Sequence, residues 1–147
     1  KVERIDEAIE LYSSCLVKGQ QNVDLSKKLM QAHFLKKDYV TVAEYGTPLK
    51  GLNEFRRSEA RINYAWSLYH AYDKEKALEE FEKMDVRFSN YPHRFEYAKF
   101  LLEIGQKAES KNKLEELIEE YKEMATHEKR FKKDVYRKAR DLYHSIK

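Results

Sequence analysis

The stretch RINYAWSLYHAYDKEKALEEF begins at Arg61, and a looser copy of it, RFEYAKFLLEIGQKAESKNKL, begins at Arg94. Laid over each other at an offset of 33, the two share Arg61/Arg94, Tyr64/Tyr97, Ala65/Ala98, Leu68/Leu101 and Lys74/Lys107. A period of that length is one helix–turn–helix unit, too small to bury its own apolar face, so copies must stack to make a core. The small residues expected near the start of each second helix keep the same beat: Ala8, Val42, Ala77 and Ser110 are separated by 34, 35 and 33. A bulky side chain there would push the paired helices apart. The repeat therefore predicts an all-α chain, a stack of antiparallel helix hairpins with a C-terminal capping helix. Composition agrees: with four Gly, two Pro and 37% charged residues, the chain is poor in the turns a sheet needs and rich in wet helix surface.

Apolar residues recur at three- and four-residue spacing almost throughout. They divide one domain, 1–147, into a half repeat at 3–19, repeats at 22–50, 58–88 and 91–124, and a closing helix at 128–146. In the first helix Ile5, Ala8, Ile9, Tyr12 and Leu16 share a face, and Gly19 is its expected stop. Pro48, without an N–H to donate, is expected to end or kink the helix that precedes it. The segment LKGLNEFRR reads as a connector. In the closing helix Phe131, Val135, Ala139, Leu142 and Ile146 form the expected packing stripe.

On these residues the chain resembles the tetratricopeptide-repeat family. That pattern places a small residue and then a Leu or aromatic in each first helix, and a small residue and then an aromatic in each second helix. Ala65, Leu68, Ala77 and Phe81 supply it once, and Ala98, Leu101, Ser110 and Leu114 supply it again. The repeat at 22–50 departs from it, with Met30 and Val42 at small positions and Gly46 where an aromatic belongs. The segment from Glu54 to Met84 and the basic closing helix also look like the soluble part of bacterial membrane-anchored repeat proteins. That likeness implies cytoplasmic placement beside a membrane and an anchor upstream of Lys1.

The resemblance further implies a concave face lined by the first helix of each repeat. On it would lie Lys27, Gln31 and Phe34, then Ile62, Trp66 and Tyr69, then Phe95 and Lys99. This aromatic patch flanked by lysines suits a peptide or partner protein. Some family members grip a C-terminal carboxylate with paired lysines and asparagines. Lys27, Gln31 and Asn63 fall near three of those places, but Pro92 and Glu96 stand where further basic groups are needed.

Net charge is +3, too small to argue for nucleic acid, yet it is unevenly spread. Residues 126–147 carry eight Lys/Arg against three acids. Arg130, Lys132, Lys133, Arg137 and Arg140 make a basic face, read as the solvated outside of a cap or as a site for acidic lipid or RNA. The first helix, lacking its hairpin partner, is expected to leave Ile5, Ile9 and Leu16 uncovered, a stripe fit for homodimerisation.

Catalysis finds no support. The five histidines (His33, His70, His93, His127 and His144) make no metal-binding pair at helical spacing, and Gly105 is a turn rather than a phosphate cradle. Cys15 reads as a small buried residue, and one cysteine suits a reducing compartment. No metal or cofactor is expected, and no apolar run is long enough to span a bilayer. The expectation is a non-catalytic scaffold that binds protein.

Overall fold

The computed structural model describes residues 2–15 and 22–146. Its elements are α1 (Val2–Cys15), α2 (Val23–Leu35), α3 (Tyr39–Gly46), α4 (Asn53–Arg56), α5 (Glu59–Ala71), α6 (Lys74–Met84), α7 (Tyr91–Glu103), α8 (Lys107–Glu123) and α9 (Thr126–Ser145), with a 3-10 turn at Thr47–Leu49. No strand occurs among the described residues, and the fold is all-α. Leu16 and Gly19, expected in the first helix and its stop, lie outside the described residues. The chain divides into two compact units, Lys1–Ala77 and Leu78–Lys147, with the division inside α6.

In the first unit α1 packs on α2, α2 on α3 and α5, and α3 on α5. Asn22 opens α2, its side-chain oxygen accepting the Leu25 N–H at 3.1 Å. The stripe Ile5, Ala8, Ile9 and Tyr12 is half-buried, and α1 is tied to α2 by Asp6–Lys36 and by Lys28 over the Tyr12 ring. The expectation of a bare Ile5/Ile9 stripe is thus corrected to a half-covered one, because α2 packs against α1. Cys15 is also corrected: it lies on the Ala8 side of α1, seven residues on, but at the last position of that helix it is exposed.

Pro48 falls in the 3-10 turn, and α3 continues helically through Gly46 to its edge. Gly46 is buried against Tyr64, so close that a Cβ there would meet the ring at Cδ1 and Cε1. The aromatic that the repeat pattern wants at 46 is in effect supplied by Tyr64 from α5. The expected connector holds the short helix α4, which exists to bury Phe55 edge-on against that same ring at 5.9 Å.

In the second unit α7 packs on α8, and α9 covers both. The core joins Tyr91, Phe95 and Ala98 of α7, Leu114 and Leu117 of α8, and Ala139 of α9, with Ile146 just beyond it. Ser110 is small enough to sit at the α7–α8 crossing, where its hydroxyl donates to the Ala98 carbonyl at 2.7 Å. Phe81 stacks on Phe100 at 4.7 Å. Gly105, with φ +85°, makes the left-handed turn between α7 and α8. The residues matching the repeat pattern in both copies, from Ala65 to Phe81 and from Ala98 to Leu114, are all buried.

Phe131 requires a correction, being 82% exposed. The packed side of α9 is Val135, Tyr136, Ala139, Leu142, Tyr143 and Ile146. That stripe is rotated toward the two tyrosines, which leaves Phe131 about 80° from Ala139 and beyond the reach of α8.

An ionic cluster lies within this core. Arg94, 1% exposed at its side chain, meets Glu120, itself fully buried, at 2.5 Å, Asp85 at 3.2 Å and Glu116 at 3.5 Å. Glu120 also accepts the Phe88 N–H at 3.0 Å, holding that residue at φ +64° with its ring in solvent. Lys113 bridges Asp85 and Glu116. Burial alone would lower the Lys113 ammonium, but its hydrogen bond and attraction to Asp85 outweigh burial and raise it. Burial first, and then Glu120, hold the Tyr91 phenol well above the ordinary range, while its O–H donates to the Leu117 carbonyl. Burial, followed by Glu82 and Asp85, pushes Tyr97 up to about 12.

Candidate functional site

α2 and α5 lie side by side in the first unit, and their N-terminal halves enclose a cleft of about 410 Å³. Asp24, Lys27, Lys28 and Gln31 line it from α2, and Ser58, Glu59, Ala60 and Asn63 from the start of α5. Both helices present their N-terminal turns to it, so they run in the same direction. Three- and four-residue steps set the lining: 24, 27, 28 and 31 on one helix, 59, 60 and 63 on the other.

The charges in the cleft balance, two lysines against two carboxylates. Lys27 is partly satisfied by Asp24 at 3.5 Å, and Lys28 lies over the Tyr12 ring at 5.6 Å. Ser58 does not cap α5; its hydroxyl donates to the Phe55 carbonyl. Between the charges, the Gln31 and Asn63 carboxamides each offer a donor and an acceptor, the complement of a peptide main chain.

One or two turns further along the same helices the lining becomes aromatic. Phe34 meets Tyr39 edge-on at 5.7 Å, Tyr39 stacks on His70 at 4.4 Å, and His70 stacks on Trp66 at 6.2 Å. Tyr69 closes the set, edge-on to Trp66 at 6.2 Å. Phe34, Tyr39, Trp66 and Tyr69 are half-buried and His70 is exposed, so the rings are held by one another and still reach the surface.

Of the residues expected on the concave face, Lys27 and Gln31 line the cleft, and Phe34, Trp66 and Tyr69 form the aromatic row beyond it. Ile62 is half-buried and is not in the lining, a place taken by its neighbour Asn63. Phe95 and Lys99 belong to the second unit. Phe95 is a correction: at 7% exposed it is core, packed in the same cluster as Ala139 of α9 and Ile146. Lys99 is exposed, paired with Glu96 at 3.4 Å and lying over the Phe95 ring. Of the basic face, Arg130, Lys133, Arg137 and Arg140 are exposed, whereas Lys132 is half-buried toward the packed side of α9.

Sequence reasoning missed Lys28, Tyr39 and His70. Lys28 was legible as the residue beside Lys27 one turn before Gln31. Tyr39 belongs to α3, and its approach to the α5 row depends on how α3 packs on α5, which periodicity does not encode.

Among the described residues no three His, Cys, Asp or Glu side chains are grouped to hold a metal, and no helix is long and apolar enough to cross a membrane. No protein-family model matches the sequence, and no curated protein matches it.

Proposed function

We propose that the chain is a non-catalytic binding module of the tetratricopeptide-repeat kind, which holds an extended peptide of a partner protein along α2 and α5. The observation that carries this reading is the continuity of the charge-balanced cleft with an aromatic row, Phe34 of α2 and Trp66 and His70 of α5 joined by Tyr39 of α3. From Asp24 to Phe34 the helix rises about 15 Å, the length of four to five extended residues at roughly 3.3 Å each. Gln31 and Asn63 bond the peptide main chain, Lys27 and Glu59 read side-chain charge, and the rings take an apolar side chain. Cytoplasmic placement belongs to the same proposal and rests on the lone thiol of Cys15.

The test is selection from a random peptide display library, followed by calorimetric titration of the enriched peptides. Trp66→Ala and Asn63→Ala should each weaken binding, the first by about 30-fold if the ring is an anchoring residue. Unchanged affinities in both variants would remove this face from consideration.

A further inference from the structure

The closing helix α9 carries charge that the fold leaves unanswered. Arg130, Lys133, Arg137 and Arg140 are exposed at steps of three and four residues, and half-buried Lys129 continues their row. At about 100° per residue these five occupy one arc of about 100° and extend about 16 Å along the axis. None of the five is within ion-pair distance of a carboxylate among the described residues. In contrast Arg94 and Lys99 of α7, and Lys113 and Lys122 of α8, are all paired. Like charges at such steps repel, so the row is kept at a cost to the helix that bears it.

Rings fix the ends of the row without neutralising it. Tyr121 and Tyr136 stack at 3.9 Å, with Lys129 over the first and Arg140 over the second at 5.7 and 5.6 Å. A cation held over a ring face keeps its full charge.

Asp134 and Asp141 border the arc on the Arg130 side, and the exposed side remains cationic when both are counted. That border selects the partner. A helix in a duplex groove faces phosphates on both flanks, and the two aspartates would then meet one of them. Among the described residues the one ring within the arc is His144, a turn past Arg140 and edge-on to Tyr143 at 5.4 Å. Phe131 projects about 100° away from Arg130, so no succession of rings lies between the cations for unpaired bases to stack on. A flat anionic surface touches the arc alone. We propose that α9 lies along an anionic lipid surface through Lys129, Arg130, Lys133, Arg137 and Arg140. The proposal is independent of the peptide cleft, which lies in the other unit.

The test is co-sedimentation of the chain with lipid vesicles at about 50 mM salt, comparing neutral phosphatidylcholine with vesicles holding about 30% phosphatidylserine. Binding should require the anionic lipid and fall roughly tenfold or more at about 500 mM salt. Lys133→Glu/Arg137→Glu should lose binding by roughly tenfold or more, with its helical circular dichroism unchanged. The charge-matched control Lys50→Glu/Lys74→Glu, at exposed sites off α9, should retain it. The proposal is overturned by equal binding to neutral vesicles, by an unaffected α9 variant, or by a control that loses as much. It is also overturned if the α9 variant loses binding only to a short RNA or an acidic peptide while no vesicle binds.

Discussion

Gly46 stands in the last turn of α3 with φ −75° and ψ −35°, a backbone that any residue adopts. Helix propensity alone therefore predicts that Gly46→Ala stabilises the protein by about 1 kcal/mol. Contact predicts the opposite. The new Cβ would lie 2.9 Å from Tyr64 Cε1 and 3.0 Å from Met30 Cε, and closer still to Tyr64 Cδ1. Comfortable carbon–carbon separations are about 3.5–4.0 Å. The ring has no room to retreat, being 3% exposed, pressed by Phe55 and hydrogen-bonded from its hydroxyl to Thr47 Oγ1 at 3.2 Å. Overpacking costs about 1–3 kcal/mol, and a pinned ring puts this site at the top of that range. Setting the propensity gain against it leaves a net loss of about 2 kcal/mol, a drop of about 1 M in the urea midpoint. Circular dichroism during urea unfolding reads it directly. In a Tyr64→Ala background the clash with the ring is gone and the flexible Met30 end can move into the space it leaves, so the same alanine should instead gain up to about 1 kcal/mol. A midpoint for Gly46→Ala at or above wild type, or an equal loss in both backgrounds, refutes the reasoning.

Arg94→Met leaves Glu120 charged and buried without its main partner, and should cost about 3–5 kcal/mol by urea unfolding. Glu120→Gln, which can keep an acceptor for the Phe88 N–H, should cost less; a loss below about 1 kcal/mol for Arg94→Met would show that the cluster is not holding the core. The chain should also be labile to alkali. Burial raises Tyr91 and Tyr97 above their unfolded value of 10.0, and Asp85 raises Lys113 above 10.5, so the folded state holds these protons more tightly. Their contribution is full below about pH 10 and is lost as pH rises through the folded values. Urea midpoints should therefore fall from about pH 10 upward, and less so in Tyr97→Phe; an alkaline profile that stays flat beyond about pH 11 counts against it.

Most of the helices were legible because their apolar faces repeat at helical spacing and their ends carry Gly, Pro or Asn. The small residues were legible too, since Ala65, Ala98 and Ser110 sit where helices cross and nothing larger fits. Three things were not. α4 spans only four residues, too few to show a period, although a single Phe55 in a polar connector hinted that something there is buried. The packed stripe of α9 was misread at its edges, with Phe131 taken in and Tyr136 and Tyr143 left out. Amphipathic spacing gives a face with a width of several residues, and only the neighbouring helix decides which edge is covered. The buried charge escaped notice although Arg61 and Arg94 opened the repeat, and both prove buried. Charge is ordinarily a surface signal, and a partner such as Glu120 lies too far along the chain for local spacing to pair it. For the candidate cleft, Lys27, Gln31 and Asn63 were readable from register, whereas the meeting of Tyr39 with His70 depends on how whole helices dock.

Arg94 also bears on how such a chain can change over generations. Its guanidinium answers to acids at 85, 116 and 120, on the segment before α7 and on two successive turns of α8. Arg94 and Glu120 are not free to drift singly, since losing either strands the other's charge where water does not reach, whereas Asp85 and Glu116 are partly exposed and share Lys113. Divergent copies of this fold should therefore exchange Arg94 and Glu120 as a pair, both giving way together to an apolar filling, and that joint inheritance would mark the cluster in any lineage that carries it.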